Sequence, residues 1–329
     1  MVESKKVSIV IPAYNEEENI RPVTEAVVDE IKTNLPEYDY EVLIIDNCSQ
    51  DKTQAIVREL CKENEKVKAI FNEKNFGPDS SPYYGLMQAS GDCAILFCAD
   101  FQDPLEMIHK MVREWEKGYT VVTAIKTESK ENKLVRFLRT VYYKMIKKIS
   151  DTEIIEHFTG FGCYDQSFLQ ILRDLNDPVP FLRGVVAEFA GNRKAIEYEQ
   201  QKRRAGKSHI KFFTLYDMAM RSITSYTKIG LRMCTFLGFG VAGVSAIIAF
   251  IYLIRKLIHW ESFGFGIPVI LIGMFFIGAI QLIFMGFMGE YILTINQRTM
   301  KRPLVVERER INFDNRGNGD EDRTSMEEY

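Results

Sequence analysis

The sequence predicts an α/β domain followed by two membrane-spanning helices. Over the first hundred residues or so, short apolar runs alternate with amphipathic stretches, as in a mostly parallel sheet covered by helices. The short runs are nearly all apolar, as strands buried on both faces are. Beyond about residue 230, two uncharged stretches are each long enough to cross a bilayer.

The elements of the α/β domain follow in chain order. Strands are predicted at residues 7–11, 41–45, 67–71 and 93–98, and the helices between them at residues 17–35, 52–63 and 83–89. In an open sheet of this kind, ligands bind outside the carboxyl ends of the strands. Functional residues are therefore expected directly after each strand.

The two apolar stretches, at about residues 235–254 and 267–288, predict a transmembrane hairpin within residues 232–290. A buried helical hairpin in a soluble core is the alternative interpretation. Arg255 and Lys256 lie in the connection, whereas the outer ends carry more basic residues, namely Arg221, Lys228, Arg232, Arg298, Lys301 and Arg302. Because basic flanks stay in the cytoplasm, a multi-pass protein of the cell (inner) membrane is expected, with the large domain and both termini cytoplasmic.

The remaining segments divide around this hairpin. Residues 1–208 form the predicted cytoplasmic domain, and residues 209–231 mix apolar and basic side chains as interfacial helices do. An ordinary amphipathic surface helix fits the same pattern. Residues 291–329 are predicted to form a cytoplasmic tail, which is polar and acidic, and thus disordered, from about residue 312.

Composition narrows the classes of function. The formal net charge of −3 provides no global basic field, so nucleic acid is not an expected partner. The six cysteines form no Cys-x-x-Cys pair and lie near no His cluster, which argues against a zinc site and a disulfide framework. The N-terminus carries no signal-peptide pattern. A reduced domain that faces the cytosol is the simplest interpretation.

The first predicted strand ends at Pro12 and leads into a polar turn. In a ligand site, Tyr14 can stack on a base, and Asn15 and Glu16 can reach the edge of the base or the ribose. Helix capping by Asn15, followed by a charged first turn, explains the same residues without a ligand. Both interpretations remain open at this point.

Two further strand ends carry carboxylates. Asp46 follows the second strand and lies at the same edge as Tyr14, while Asp100, Gln102 and Asp103 follow the fourth. A Mg²⁺ ion is held by one or two carboxylates together with substrate phosphates, which fits this sparse set of oxygen ligands. For Asp103, capping of a helix that begins at Pro104 is the alternative.

These motifs together resemble the family-2 glycosyltransferases of GT-A fold, whose sheet is mixed and Rossmann-like. Within that family the chain resembles the two-helix polyprenyl-phosphate glycosyltransferases related to dolichol-phosphate-mannose synthase and bactoprenol glucosyltransferases. The resemblance spans about residues 5–305. Its motifs are residues 11–19, 46–51, 75–77, 99–104, 183–184 and 204–208, followed by the hairpin.

The resemblance implies a role for each motif. The implied nucleotide-binding residues are Pro12, Ala13, Tyr14, Asn15, Glu16, Asp46, Asn75, Cys98 and Ala99. Asp100 and Gln102 are implied as catalytic residues that hold Mg²⁺ or Mn²⁺. The acceptor phosphate is implied to contact Lys126, Arg136, Arg204 and Ser208, although for the first two a solvated surface is the alternative.

The implied reaction is the inverting transfer of a sugar, from a nucleotide-sugar donor such as a UDP-sugar, to polyprenyl (undecaprenyl) phosphate. Cys98 stands where the family's metal motif usually begins with Asp, and Asn47 replaces the second acid of the usual Asp-Asp-Gly-Ser turn. A non-catalytic membrane scaffold is therefore one alternative. A processive polysaccharide synthase is another, although its Gln-x-x-Arg-Trp motif is absent. Gly286 and Gly289 would permit close helix packing in a homo-oligomer.

Overall fold

The computed structural model describes residues 5–127, 155, 157–201, 267–300 and 302–313, together with scattered positions between residues 236 and 258. Its strands are β1 (Lys6–Ala13), β2 (Asp39–Asp46), β3 (Val67–Asn72), β4 (Cys93–Leu96), β5 (Val121–Lys126), β6 (Phe158–Asp165), β7 (Arg193–Tyr198) and β8 (Glu307–Ile311). Its helices are α1 (Ile20–Asn34), α2 (Thr53–Glu63), α3 (Gly77–Gln88), α4 (Met107–Trp115), α5 (Gln166–Leu175), α6 (Leu182–Phe189) and α7 (Ile267–Thr299).

The strands form one mixed sheet in the order β7-β5-β6-β4-β1-β2-β3-β8. The β4-β1-β2-β3 part is parallel, whereas β6 runs antiparallel to its neighbours β4 and β5. A short parallel pair, β5 and β7, forms one edge. The predicted mixed α/β sheet flanked by helices is thus confirmed.

Alternation of side chains along the central strands separates two cores. Ile9 and Ile11 of β1 pack into one apolar cluster with side chains of α1, α2 and α4. Val10, between them, belongs to a second cluster with side chains of α3, α5 and α6. Because successive side chains of a strand point to opposite faces, the sheet is covered by a helical layer on each side.

Helix α3 begins earlier than the sequence predicted, at Gly77 rather than near residue 83. Pro78 occupies the first turn, where a helix needs no backbone donor, so this proline does not prevent the early start. The helix therefore begins directly after the turn that follows β3.

Among the described residues, helix α7 contains the one segment that could cross a membrane by its length and composition. Its segment Phe276–Thr299 is long and apolar enough to cross a bilayer, with a mean hydropathy of 1.7, and its apolar window is not buried in the protein. The described positions between residues 236 and 258 are helical. Most of the region between residues 202 and 266 lies outside the described residues, so the two-helix hairpin and the interfacial helices at 209–231 stay predictions.

The chain after α7 returns to the sheet. Strand β8 pairs antiparallel with β3 and forms the second edge of the sheet. The preceding residues Leu304 and Val305 are buried in the same core as α3. The sequence analysis assigned this stretch to the tail, whereas the structure makes residues 304–311 part of the α/β domain.

Candidate functional site

The turns after β1 and β2 are bonded to each other at the carboxyl edge of the sheet. The backbone N–H of Asn15 donates to Ser49 Oγ at 2.9 Å, and Asn15 Oδ1 accepts from the N–H of Gln50 at 2.8 Å. The N–H of Glu16 donates to Thr53 Oγ1 at 2.9 Å. Asn15 has a φ of 55°, a conformation that Asn tolerates better than most residues. The two predicted nucleotide-binding turns thus form one preorganised unit.

The capping alternative for this turn is not what the structure shows. Helix α1 begins at Ile20 with Asn19 at its N-cap position, and Asn15 Oδ1 is bonded to the β2–α2 turn instead. The Glu16 carboxylate accepts from Asn19 Nδ2 at 2.7 Å and so faces the start of the helix. Tyr14 is half-buried beside these residues. Direct contacts of Tyr14, Asn15 and Glu16 with a nucleotide remain predictions.

Asp46 is the last residue of β2 and pairs in register with Ala13 of β1. Its side chain is completely buried, and its Oδ2 accepts from the Ser49 N–H at 3.1 Å. Its other oxygen, Oδ1, accepts no hydrogen bond from the described residues, and the Gln54 amide donates to the Ser49 carbonyl at 3.0 Å. Burial raises the pKa of Asp46. An unpaired buried acceptor costs about 1–3 kcal/mol, and an N–H of a ligand would satisfy it.

Asn47 joins the β2 and β3 ends of the site. Its Nδ2 donates to Asn75 Oδ1 at 3.0 Å and to the Gly77 carbonyl at 3.1 Å. Its Oδ1 accepts from Asn72 Nδ2 and from the Phe76 N–H. Asn75 therefore lies in the turn between β3 and α3, next to Asn47, and its side-chain oxygen holds that turn. Contact of Asn75 with a nucleotide remains a prediction.

The loop after β4 brings the predicted metal ligands to the same edge. Asp100 is 8% exposed, and its Oδ1 accepts from the Gln102 N–H at 3.2 Å. Ala99 is buried beside it, whereas Cys98 is exposed. Phe101 between the two predicted ligands has a φ of 55°, so the loop makes a sharp turn there. The turn places a carboxylate and an amide two residues apart on one short loop.

Asp103 does not cap a helix; its side chain is hydrogen-bonded to Tyr198. Helix α4 begins at Met107, and the buried Asp103 instead accepts from Tyr198 Oη at 2.8 Å. Burial raises the pKa of Asp103 to about 6; Tyr198 opposes the rise, the Asp100 charge adds to it, and Lys126 also opposes it. The charges of Asp100 and Lys126 therefore both act on the Asp103 carboxyl group.

The same loop contacts the segment after β7. Gln102 Oε1 accepts from Gln200 Nε2 at 3.3 Å, and the Gln102 carbonyl accepts from the Gln201 N–H at 2.9 Å. Lys126 ends β5 on this side of the site. The other predicted acceptor residues, Arg136, Arg204 and Ser208, lie outside the described residues.

The oxygen donors at this edge fit a divalent cation. The carboxylate of Asp100 and the amide oxygen of Gln102 are hard ligands of the kind that Mg²⁺ and Mn²⁺ prefer. In the described part of the chain, no group of three or more Asp, Glu, His or Cys residues could hold a metal by itself. An ion at this position thus needs substrate oxygens to complete its coordination.

Sequence reasoning missed several residues that build the site. Ser49, Thr53, Asn72, Tyr198 and Gln200 hold the turns or the loop after β4 through hydrogen bonds over long sequence separations. Ser49 and Thr53 carried a usable signal, since both lie in the polar turn after the second predicted strand. Tyr198 and Gln200 carried none, because Tyr198 ends and Gln200 follows β7, a strand that the sequence analysis did not assign.

The sheet and its linked polar turns place the chain among the α/β proteins that bind a ligand at the carboxyl ends of parallel strands. Comparison with known proteins narrows this class. Residues 8–172, which run from β1 into α5, match the family model described as Glycosyl transferase family 2. The match includes the turns at Asn15 and Asp46 and the loop at Asp100. The chain belongs to glycosyl transferase family 2.

Individual relatives extend the similarity to nearly the whole chain. The SfII prophage-derived bactoprenol glucosyl transferase of Shigella flexneri is 32% identical over 317 residues, which cover 95% of this chain and 99% of the relative. The prophage bactoprenol glucosyl transferase homolog of Escherichia coli (strain K12) is 32% identical over 305 residues, covering 92% and 98%. Among solved structures, S. aureus TarS 1-349 in complex with UDP-GlcNAc has a TM-score of 0.47 at 17% identity, covering 67% of this chain and 66% of that chain.

Proposed function

We propose that this glycosyltransferase moves a sugar from a UDP-sugar onto undecaprenyl phosphate at the cytoplasmic face of the membrane. The buried, unpaired Oδ1 of Asp46 is the observation that carries the donor part of this proposal. The acceptor part is supported by relatives that are named bactoprenol glucosyl transferases and align with nearly the whole chain.

The turns after β1 and β2 are the proposed donor pocket. Asp46 Oδ1 accepts the ring N–H of uracil, a donor that satisfies the buried acceptor. Tyr14 stacks on the base, because an aromatic ring beside a rigid turn provides a flat apolar surface. Asn15 fixes the shape of this pocket through its hydrogen bonds to Ser49 and Gln50, which are present before a ligand binds. Pro12 and Ala13 end β1 at the wall of the proposed pocket, where the Ala13 carbonyl accepts from the Asn47 N–H at 2.9 Å.

The loop after β4 is the proposed diphosphate side of the pocket. Asp100 and Gln102 would hold Mg²⁺ or Mn²⁺ together with oxygens of the diphosphate. When bound, the ion supplies charge neutralisation to the leaving nucleoside diphosphate. Asp103, bonded to Tyr198, positions this loop and does not take a ligand role in the proposal.

The acceptor phosphate attacks from the opposite side of the sugar. One of its oxygens forms a bond to the anomeric carbon as the bond from that carbon to the diphosphate breaks, which inverts the configuration. A phosphate monoester has a second pKa of about 6 and is mostly dianionic at neutral pH, so no general base is required. Lys126, Arg136, Arg204 and Ser208 are the proposed partners of this phosphate, since cations form strong charge-assisted hydrogen bonds to it.

Transfer of radiolabel tests the proposal. Purified full-length protein in detergent is mixed with undecaprenyl phosphate, Mg²⁺ or Mn²⁺, and a panel of radiolabelled UDP- and GDP-sugars. We expect label from one UDP-sugar in the organic phase, and inverted anomeric configuration of the product by NMR. No labelled lipid from any donor would refute the transfer reaction and favour the scaffold interpretation. Label from a GDP-sugar alone would refute the choice of uridine.

A matched pair of variants tests the site. Asp100→Asn is expected to lower transfer by at least about 100-fold, because it removes the carboxylate that faces the diphosphate. Asp29→Asn makes the same change at an exposed position of α1 and is expected to leave transfer unchanged. Transfer by Asp100→Asn at the rate of the unchanged protein would overturn the site assignment.

A further inference from the structure

Three side chains form a row across the sheet beside the proposed donor pocket. Asp46 of β2 pairs in register with Phe71 of β3, and Phe71 pairs in register with Glu309 of β8. Directly paired residues on neighbouring strands point to the same face of a sheet. The row therefore joins the strand that follows the membrane helix to the carboxylate that is proposed to bind the base.

Arg58 of α2 lies over the middle of this row. Its guanidinium is 4.4 Å from the ring centroid of Phe71, which is fully buried. Two of its nitrogens donate to Glu309, Nη2 to Oε2 at 2.6 Å and Nε to Oε1 at 3.4 Å. The hydrogen bond to Glu309 raises the pKa of Arg58, and the charge of Asp46 also contributes, so the guanidinium is within electrostatic reach of Asp46.

Arg58 thus has a carboxylate on each side and is bonded to only one of them. A guanidinium binds a carboxylate through two parallel hydrogen bonds, and the unpaired Asp46 Oδ1 is an open acceptor for such a bond. Rotation of Arg58 toward Asp46 would occupy the atom proposed to receive the ring N–H of the base. The pair with Glu309, together with a hydrogen bond from Arg58 Nη1 to the Gln54 carbonyl at 3.3 Å, holds the guanidinium over the Phe71 ring.

We infer that Glu309 is a positioning residue for donor binding, which keeps Arg58 away from Asp46 and so leaves Asp46 available to the nucleotide base. The inference rests on the proposed function, since it assigns a determinant of donor affinity. It also gives the segment after the membrane helix a role in the site, through the strand that bears Glu309.

The test is UDP binding by isothermal titration calorimetry to full-length protein in detergent, with KM and kcat measured for the UDP-sugar. Glu309→Gln is expected to weaken UDP binding by about five- to twenty-fold, because Arg58 then competes for Asp46. The KM is expected to rise by a similar factor with little change in kcat. The double variant Glu309→Gln with Arg58→Gln is expected to restore binding to within about twofold, because it contains no competing cation.

Glu307→Gln is the matched control. Glu307 lies on the same strand and is paired with Arg310, which contacts Tyr84 and Gln88 of α3 rather than Asp46. This variant is expected to bind UDP as the unchanged protein does. Melting temperatures of all variants show whether a loss of binding follows a loss of stability.

Each outcome decides the inference. Unchanged binding in Glu309→Gln, or a double variant as weak as the single one, would overturn the positioning role. Equal weakening by Glu307→Gln would assign the effect to the stability of β8. Unchanged protein that binds no UDP would instead refute the uridine donor of the proposed function, and the inference with it.

Discussion

Asn47 uses every hydrogen-bonding group of its side chain inside the site. Both protons of its amide nitrogen are donated to acceptors that cannot donate in return, Asn75 Oδ1 and the Gly77 carbonyl. An aspartate at this position, as the family resemblance implies for many relatives, would place a carboxylate against those two oxygens. In this chain the turn before α3 therefore requires the amide.

Asn47→Asp is expected to lower the free energy of unfolding by about 1–3 kcal/mol, because it places a buried carboxylate oxygen against the acceptor oxygens of Asn75 and Gly77. Thermal unfolding of the purified full-length protein measures the effect. Asn34→Asp is the control, since Asn34 is exposed at the end of α1 and its side-chain amide donates to the exposed side of the helix, to Glu30 Oε1 at 2.9 Å. A melting temperature that falls no further for Asn47→Asp than for the control would contradict this account.

Sequence reasoning located the site residues better than it described their contacts. Asp46 and Asp100 were predictable because each follows a strongly apolar run, and the end of such a run fixes the sheet edge. The bond from Asn15 Oδ1 to Gln50 and the unpaired Oδ1 of Asp46 were not, since they depend on how two turns meet in space. The local sequence pattern of either turn contains no information about the contact between them.

A charged cluster lies near the start of β2, at the opposite end of the strands from the candidate site. Glu41 is only 3% exposed and accepts from Ser8 Oγ at 2.6 Å, from the Ser90 N–H at 2.7 Å and from Lys68 Nζ at 2.8 Å. Burial alone would raise the pKa of Glu41, but Lys68, Ser8 and Ser90 outweigh it and lower the pKa to about 2. The cluster joins β1, β2 and β3 to the turn before β4.

The lowered pKa predicts how stability changes with pH. A carboxylate whose pKa is lower in the folded than in the unfolded state stabilises the fold at pH values above its unfolded pKa of about 4.5. This stabilisation is lost as the pH falls toward the folded pKa of about 2. Glu41→Gln is therefore expected to lower the free energy of unfolding at pH 7 by about 3 kcal/mol. The difference from the unchanged protein should shrink between pH 4.5 and pH 2.

Melting temperatures at pH 7 and pH 3 measure this change. Glu106→Gln serves as the control, because Glu106 forms an exposed pair with Lys110 on α4, and exposed pairs contribute little. A gap between Glu41→Gln and the unchanged protein that is the same at both pH values would contradict the assignment.

Residues 304–311 are anchored to the sheet by apolar as well as polar contacts. Val305 is 7% exposed in the core beside α3, whereas its neighbour Val306 is 46% exposed. Val305→Ala is expected to lower the free energy of unfolding by about 1–2 kcal/mol, and Val306→Ala by much less. Thermal unfolding of the two variants compares the same chemical change at adjacent positions. Equal effects would show that β8 is not docked in solution.

Strand β8 was the element least accessible to sequence reasoning. Its residues Glu-Arg-Glu-Arg-Ile alternate in charge and contain a single apolar side chain, a pattern typical of an exposed tail. Its partner β3 lies more than 230 residues earlier in the chain. An edge strand of this kind is specified by its ion pairs and by the buried residues before it, which only the assembled sheet reveals.

At the scale of the whole molecule, the described part of the α/β domain extends to residue 201 and includes the chain again from residue 304, directly after α7. The four peptide units that join Met300 to Leu304 span at most about 14 Å, which is less than the roughly 30 Å core of a bilayer. Arg298 near the end of α7 also contacts Asp177 of the domain, at 3.1 Å. The C-terminal end of α7 and the α/β domain therefore lie on the same side of any membrane that α7 crosses.

This placement predicts the membrane topology. If α7 crosses once, the chain between residues 201 and 267 must also cross an odd number of times, as the first helix of the predicted hairpin would. An epitope inserted in the connection at residue 262 should bind antibody on sealed spheroplasts of an expressing bacterium. An epitope appended after residue 329 should bind only after permeabilisation. Accessibility of both epitopes in sealed cells would contradict the hairpin.

Pairing of β8 with β3 also sets an order for biosynthesis. The ribosome makes β1 to β7 first, then the apolar α7, and only afterwards the residues that complete the edge of the sheet. The row from Asp46 to Glu309 therefore closes last, after the apolar segment has been translated. A newly made chain thus lacks the β8 edge of its sheet until the apolar α7 has been translated, so the proposed donor pocket can be completed only after the segment proposed to enter the bilayer has been made.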